Sequence, residues 1–169
     1  MSSFCERLWR VIARMMVSVG LLLCPLASAV ETALPPARDL SADAKIAMQD
    51  GMPVIVLVSL AGCGHCEVVR RSHLLPLLRD ATAAKPVIRQ VEVRGGETLR
   101  DFDGKQITHA EFARRHKVRI APVVFFFDGK GTQLTAPLVG SMIPDFYGAY
   151  FDTALDEAKS KLRGRATGN

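Results

Sequence analysis

The fold of this chain is decided by the stretch Pro53-Val54-Ile55-Val56-Leu57-Val58-Ser59-Leu60, followed two residues later by Cys63-Gly64-His65-Cys66. The first part is a run of β-branched and apolar residues, which is typical of a strand buried on both faces. The residues after the cysteines, from about 67 to 79, predict a helix. Two cysteines separated by two residues at a strand-to-helix turn indicate a site of thiol–disulfide exchange.

The amino-terminal segment predicts a secretory signal peptide over residues 1–29. Three arginines precede an uncharged run, and Ala27-Ser28-Ala29 has the small-x-small pattern of a cleavage site. The alternative is an uncleaved membrane anchor, but the run is short against the roughly 20 residues that a spanning helix needs, and Pro25 interrupts it. We therefore expect a periplasmic or secreted single domain over residues 30–169.

Cleavage of that segment changes the charge and the cysteine count. The whole chain has a net charge of +5, and the loss of three arginines and one glutamate lowers it by two, to +3. Such a small charge is a weak argument for nucleic-acid or membrane binding, so we expect no nucleic-acid partner. Cys5 and Cys24 leave with the signal peptide, and the remaining pair, Cys63 and Cys66, excludes a structural disulfide framework.

Periodicity and turn signals in the rest of the chain predict an α/β domain. The predicted helices cover residues 39–49, 67–79, 108–116 and 145–162. The predicted strands cover residues 53–60, 86–93, 123–127 and 133–139, with a small hairpin between Leu99 and Ile107. This order favours a mixed central sheet of about four to five strands with helices on both faces. The first two strands are expected to run parallel and the last two antiparallel.

Simple structural roles are the better interpretation for most side chains outside the cysteine turn. We expect the pairs Arg70-Arg71 and Arg114-Arg115, together with His109 and His116, to be solvated. A second group of side chains is predicted to face the core: Val68, Val69, Leu74, Leu75, Leu78, Phe125, Phe126, Phe127, Tyr147, Tyr150 and Phe151.

The order of elements and three motifs resemble the thioredoxin superfamily over about residues 38–160. The sequence Cys63-Gly64-His65-Cys66 is similar to that of the catalytic domains of protein disulfide isomerases. Ile120-Ala121-Pro122 stands directly before a hydrophobic strand, and Gly140 follows the last strand, where the superfamily has a proline and a glycine. The resemblance implies a thioredoxin-like fold in which Pro122 is cis and faces the cysteines. Together with the signal peptide, it points to an exported bacterial thioredoxin-like protein.

The chain departs from thioredoxin itself at three places. Gly62 stands where thioredoxin has an aromatic residue before the first cysteine. Leu57 stands where thioredoxin has a buried acid, which is thought to help deprotonate the resolving thiol. The connection over residues 91–108 is also longer. This protein must therefore handle the proton of the resolving thiol in another way.

Exchange chemistry assigns a role to each residue of the turn. The nucleophile must be an exposed and stabilised thiolate. Cys63 fits this role because it precedes a helix, whose unpaired backbone N–H groups favour negative charge. His65 can add a positive or hydrogen-bonding partner, and Cys66, one turn further on, is the expected resolving thiol. Gly64 is expected to let the turn pack closely and to keep the nucleophile accessible.

A partner segment is expected to bind beside this turn. The resemblance implies that the backbone of Ala121, next to Pro122, pairs with an extended substrate segment by strand addition. The expected substrates are cysteine-containing exported proteins, with a membrane or periplasmic redox partner that restores the cysteines. We expect no cofactor and a monomer.

The alternative function is a non-catalytic binding or metal-binding module that keeps the fold. A zinc site is disfavoured because no second Cys-x-x-Cys pair exists and the other histidines lack the spacing of a known finger. Haem attachment requires a histidine directly after the second cysteine, where this chain has Glu67. We therefore expect no resident metal.

Overall fold

The computed structural model describes residues 33–80, 84–140 and 144–167, and the predicted signal peptide lies outside them. Within these ranges the helices are α1 Leu40–Gln49, α2 Gly64–Val69, α3 Leu75–Arg79, α4 His109–Arg115 and α5 Pro144–Thr167. The strands are β1 Val54–Ser59, β2 Val87–Glu92, β3 Thr98–Arg100, β4 Gln106–Thr108, β5 Val123–Phe127 and β6 Leu138–Val139. A wide π-helical turn, Arg70–Leu74, joins α2 to α3. No helix in the described ranges has the length and apolar character needed to cross a membrane.

Four strands form a mixed sheet in the order β2-β1-β5-β6. β1 runs parallel to β2 and antiparallel to β5, and β5 runs antiparallel to β6. The β3–β4 hairpin forms a separate two-stranded sheet, with Leu99 opposite Ile107. This topology confirms the predicted α/β fold and both predicted strand directions.

The core lies on both faces of the sheet because alternate residues of each strand point to opposite sides. Every residue of β1 is buried. On one face, Leu57 and Phe126 pack with α2, α3 and α5. On the other face, Val56 and Phe125 pack with α1 and α4. Polar side chains are disfavoured in a strand that is covered on both faces, because they would lose their contacts with water. This explains the continuous apolar run in the sequence.

The outer edge of β2 is covered by the segment that precedes α1. The backbone N–H of Ala37 donates to the carbonyl of Gln90 at 2.8 Å, and the N–H of Gln90 donates to the carbonyl of Pro35 at 2.9 Å. These bonds satisfy backbone groups that an open edge would leave exposed to another chain.

The last strand is much shorter than the predicted range 133–139. Only Leu138 and Val139 pair with β5, after an isolated bridge between Gln133 and Phe127. Pro137 has no backbone N–H to donate, which explains why the ladder does not run continuously through this segment.

Two predictions of core residues were wrong. Val68 is 46% exposed and Tyr150 is 59% exposed, whereas their helical neighbours Val69 and Phe151 are buried. Successive helical residues point about 100° apart. An apolar residue next to a core position can therefore face solvent.

The prediction that His109 and His116 are solvated was also wrong. His109 is 2% exposed, its Nδ1 accepts the N–H of Glu92 at 3.2 Å, and its Nε2 lies 2.9 Å from the carbonyl of Ala37. Since Nδ1 accepts, the proton resides on Nε2, which donates to Ala37. His116 packs on Phe112, with ring centroids 4.4 Å apart. Both histidines are structural residues.

Candidate active site

The two cysteines of the turn form a disulfide at the carboxyl end of β1. Cys63 is the cap residue before α2, and its Sγ accepts the backbone N–H of Cys66 at 3.1 Å. Cys63 is half-buried, whereas Cys66 is 1% exposed. One sulfur of the pair can therefore be reached from solvent, and the other lies beneath it.

The two glycines of the turn have different conformations. Gly62 has a φ of +74°, in the left-handed region that favours glycine, which explains why a larger residue does not stand before Cys63 here. A Cβ built on Gly64 meets no atom of the described chain within 4 Å. Outside the turn itself, Gly64 therefore borders open space, and its role in packing within the turn stays a prediction.

The segment before β5 lies directly against the accessible sulfur. The carbonyl oxygen of Ala121 is 4.0 Å from Cys63 Sγ, and the peptide bond between Ala121 and Pro122 is cis. The N–H of Gly140 donates to the carbonyl of Pro122 at 2.8 Å, so the end of β6 joins the same site. In the disulfide, Cys63 Sγ has no proton to donate, and its approach to Ala121 is a contact rather than a hydrogen bond. The structure thus brings together Cys63, Ala121, Pro122 and Gly140.

His65 lies in the first turn of α2, between the cysteines, and its side chain is exposed. An exposed imidazole beside Cys63 is accessible to a docked protein as well as to the sulfur. Its position is compatible with the predicted tuning role.

A groove of about 320 Å³ opens beside the turn. Its lining includes Cys63 and three charged residues, Glu67, Arg70 and Glu92. The first two come from α2 and the adjoining wide turn, and Glu92 ends β2. Cys63 therefore contacts the backbone of Ala121 and also lines a charged groove.

Arg70 is the best-anchored charge in this groove, contrary to the prediction of a solvated side chain. Its side chain is 15% exposed and forms an ion pair with Glu67. It also donates to Gln90 at 2.9 Å and to the hydroxyl of the buried Ser59 at 3.3 Å. The neighbouring Arg71 also pairs with Glu67 but is 69% exposed, as predicted.

Sequence reasoning missed the polar cluster formed by Ser59, Arg70, Gln90 and Glu92. Gln90 links it to the groove by donating to Glu92 at 2.6 Å. The available signals were a serine at the end of an otherwise apolar strand and two polar residues, Gln90 and Glu92, two positions apart in the next strand. Neither signal shows that Arg70, rather than Arg71, completes the cluster.

No group of three or more His, Cys, Asp or Glu side chains in the described ranges has a geometry that could hold a metal ion. Within that part of the chain, the chemistry available at the turn is that of the two sulfurs and their polar neighbours.

Comparison with known proteins identifies the fold of this site. A family model described as a thioredoxin-like domain matches residues 40–155. A thioredoxin-fold protein from Helicobacter pylori has a similar structure, with 16% identity, a TM-score of 0.53, and coverage of 81% of this chain and 91% of that one. Mitochondrial thioredoxin 3 from Saccharomyces cerevisiae is also similar, with 16% identity, a TM-score of 0.46, and coverage of 76% and 99%. No curated protein matches the chain at a significant level.

The matched domain and the disulfide between Cys63 and Cys66 support a redox function at the general level of thiol–disulfide exchange. A disulfide that closes so short a loop, with one sulfur accessible, differs from a bridge that ties distant parts of a fold together.

Proposed function

The chain belongs to the thioredoxin-like domain family, and we propose that it is an exported thiol–disulfide oxidoreductase. It would exchange the Cys63–Cys66 disulfide, or the corresponding dithiol, with cysteines of exported partner proteins. A membrane or periplasmic redox partner would restore the starting state. The single observation that carries this proposal is a disulfide with one accessible sulfur against Ala121 and one buried sulfur.

The reaction proceeds in two steps that balance in atoms and electrons. In the reducing direction, the Cys63 thiolate attacks a partner disulfide and forms a mixed disulfide, and the displaced partner sulfur takes the electron pair and a proton. Cys66 then loses its proton and attacks Cys63 Sγ. The Cys63–Cys66 bond forms, and the second partner sulfur leaves as a thiol. Two electrons pass from the chain's dithiol to the partner, and the oxidising direction reverses each step.

Burial and hydrogen bonding support the assignment of these roles. Cys63 is the nucleophile because it is accessible and because the N–H of Cys66 points at its sulfur. Cys66 is the resolving thiol because a buried sulfur can reach only the bond formed at its neighbour. His65 would favour the Cys63 thiolate when it is protonated or donates a hydrogen bond.

The partner segment would bind on the Ala121 side of the turn. An extended peptide with its cysteine at Cys63 would pass the backbone of Ala121 and Pro122, with Gly64 leaving room on the opposite side. The open space around Gly64 is consistent with access for such a segment.

Two cysteine variants test the mechanism. Cys63→Ser is expected to abolish insulin reduction, because no nucleophile remains. Cys66→Ser is expected to accumulate mixed disulfides with partner proteins, detected by non-reducing electrophoresis of an extract. The control is Ser160→Ala, which changes an exposed residue of α5 and leaves both sulfurs. Wild-type protein that neither reduces insulin nor oxidises a dithiol peptide would reject the proposal in favour of a binding module.

The direction of exchange is decided by the reduction potential. A value near about −120 mV indicates an oxidant and a value near about −270 mV indicates a reductant. An oxidising compartment and a histidine in the turn favour an oxidant or an isomerase. Equilibration of the purified domain with glutathione buffers measures this potential directly.

Export is tested independently of chemistry. Expression of the full chain in a bacterial host is expected to give a periplasmic product that begins at Val30, identified by intact mass. A membrane-bound product that retains residues 1–29 would instead support the anchored alternative.

A further inference from the structure

We propose that Arg70 is a positioning residue for the exchange reaction, which holds the cysteine turn against the sheet and supplies a positive charge that stabilises the Cys63 thiolate. This inference rests on the proposed function, since it assigns a role in the same reaction. Leu57 of β1 is fully buried and apolar. This position therefore provides no carboxyl group that could exchange a proton with the cysteines, and another polar residue must act on them.

Arg70 connects the cysteine helix to two strands. It lies four residues after Cys66, its backbone N–H donates to the carbonyl of Cys66, and its guanidinium reaches Ser59 on β1 and Gln90 on β2. β1 and β2 are paired in parallel, with Leu57 opposite Gln90 and Ser59 opposite Glu92. Ser59 and Gln90 are therefore only two positions apart in the paired strands. Arg70 thereby fixes the first turns of the helix to the strand ends that carry the groove.

The charge of Arg70 is not cancelled by its carboxylate partner. Glu67 pairs with both Arg70 and Arg71, so its single negative charge is shared between two guanidinium groups and offsets the charge of Arg70 only in part. Arg71 is 69% exposed, and water screens its charge, whereas Arg70 is 15% exposed and faces the groove that Cys63 also lines. Of the two cations, Arg70 is the one placed to act on the sulfur.

The other charged groups around the sulfur are Glu92 from β2 and His65 from α2. Glu92 accepts a hydrogen bond from Gln90, which itself accepts one from Arg70. Gln90 therefore links the two charged groups. It holds the Glu92 carboxylate at the end of β2, while the Arg70 guanidinium lies toward α2. A thiolate formed at Cys63 therefore shares its groove with one anchored cation and two carboxylates. One of these carboxylates is paired with that cation, and the other is held by an amide.

The test compares Arg70→Gln with Arg71→Gln, which removes the same unit of charge from the same Glu67 partner. Arg70→Gln is expected to raise the pKa of Cys63, measured from the pH dependence of alkylation. It should also lower the equilibrium constant for reduction by glutathione about tenfold, which is about 30 mV toward more negative potential. Arg71→Gln is expected to change that constant less than about twofold because its charge is screened.

A third variant separates charge from geometry. Arg70→Lys keeps the charge but lacks the fork that binds three partners. It is expected to retain most of the effect on the Cys63 pKa and to slow resolution of the mixed disulfide. Circular dichroism and thermal unfolding identify variants that fold, and only these are compared.

Two results would overturn the inference. One is equal shifts for Arg70→Gln and Arg71→Gln, which would indicate a general charge effect. The other is an unchanged Cys63 pKa in folded Arg70→Gln. Failure of the proposed function gives a different result, namely a wild-type protein that does not reduce insulin. The reduction potential of that protein can still be measured, and Arg70→Gln either shifts this potential or leaves it unchanged.

Discussion

At the scale of single residues, nearby side chains of the same residue type differ in how far they are exposed to solvent. Arg70 and Arg71 both bind Glu67, and only the first is shielded from water. Tyr147 and Tyr150 lie on the same helix, and only the first is buried. Burial, rather than residue type, decides what each side chain contributes.

Tyr147 offers a test of this point, because its buried hydroxyl has no hydrogen-bond partner within the described residues. Burial also raises the pKa of Tyr147. Tyr147→Phe removes the unsatisfied group and is expected to be neutral or to stabilise the protein by about 1 kcal/mol, as measured by urea unfolding. Tyr150→Phe, at an exposed position, is the control and should change little. A loss of more than about 1 kcal/mol in Tyr147→Phe would show that the hydroxyl is satisfied.

Two partly buried histidines, His116 and His73, predict an acid sensitivity of the fold. Burial lowers the pKa of His116, an effect that Asp101 opposes and Arg115 reinforces, and burial also lowers the pKa of His73. The unfolded chain therefore takes up protons more readily. The free energy of unfolding should be unaffected above the unfolded-state pKa of about 6.5 and should fall as the pH decreases below it.

Chemical unfolding at pH 7.5 and pH 5.5 checks this sign. His116→Gln should show a smaller decrease than the wild type, because the variant has lost one of the titrating groups. An equal decrease in both proteins would assign the acid sensitivity to other residues.

At the scale of elements, the fold is held together by side chains that join helices to strands. Asp43 of α1 binds Arg89 of β2 at 2.9 Å, and Arg70 joins the cysteine helix to β1 and β2. Asp43 thus contacts β2 from α1, and Arg70 contacts the same strand from the wide turn that follows α2. The position of β2 relative to the cysteine turn thus depends on its charged contacts as well as on the apolar core.

Removal of one member of the Asp43–Arg89 pair is expected to lower the free energy of unfolding strongly, whereas replacement of both members by apolar residues is expected to lower it little. Burial raises the pKa of Asp43 despite its bonds to Arg89, so desolvation outweighs pairing. Asp43→Ala leaves Arg89 without its partner and should lower the free energy of unfolding by about 2–3 kcal/mol. The double variant Asp43→Leu, Arg89→Met should recover most of this loss. Glu111→Ala, from an exposed pair, should lower the free energy of unfolding much less, because water screens that pair.

A double variant no more stable than Asp43→Ala would contradict the argument, because it would show that the ionic contact itself cannot be substituted. Denaturant midpoints with equal slopes make the three variants comparable.

How far the sequence could predict this structure also differs between elements. β1 was predictable because burial on both faces leaves a continuous apolar run, and the cysteine turn was predictable because both of its chemical groups are adjacent in sequence. The role of Arg70 was not, because the wide turn at Arg70–Leu74 departs from helical spacing. The burial of His109 was not, because its partners lie 17 and 72 residues away.

At the scale of the whole molecule, both edges of the central sheet are poor templates for pairing with another chain. The segment at Pro35–Ala37 covers β2, and β6 pairs through only two residues. Short or covered edges disfavour strand addition between copies. The same short edge lies next to the proposed binding site for an extended partner segment.

The expected oligomeric state of the thioredoxin-like domain is therefore a monomer. Size-exclusion chromatography with light scattering should give the molar mass of one chain at micromolar concentration, in both the oxidised and the reduced protein. A dimer that persists after reduction would show that the covered edges do not prevent association.

The depth of Cys66 has a practical consequence for following this protein in solution. After reduction, a bulky maleimide should modify Cys63 quickly because Cys63 is accessible. Modification of Cys66 should be much slower, because the amino-terminal end of α2 must first separate from the sheet. With position 63 blocked, the rate of that second modification reports how often this part of the protein opens, and mass spectrometry measures it from the added mass of the maleimide.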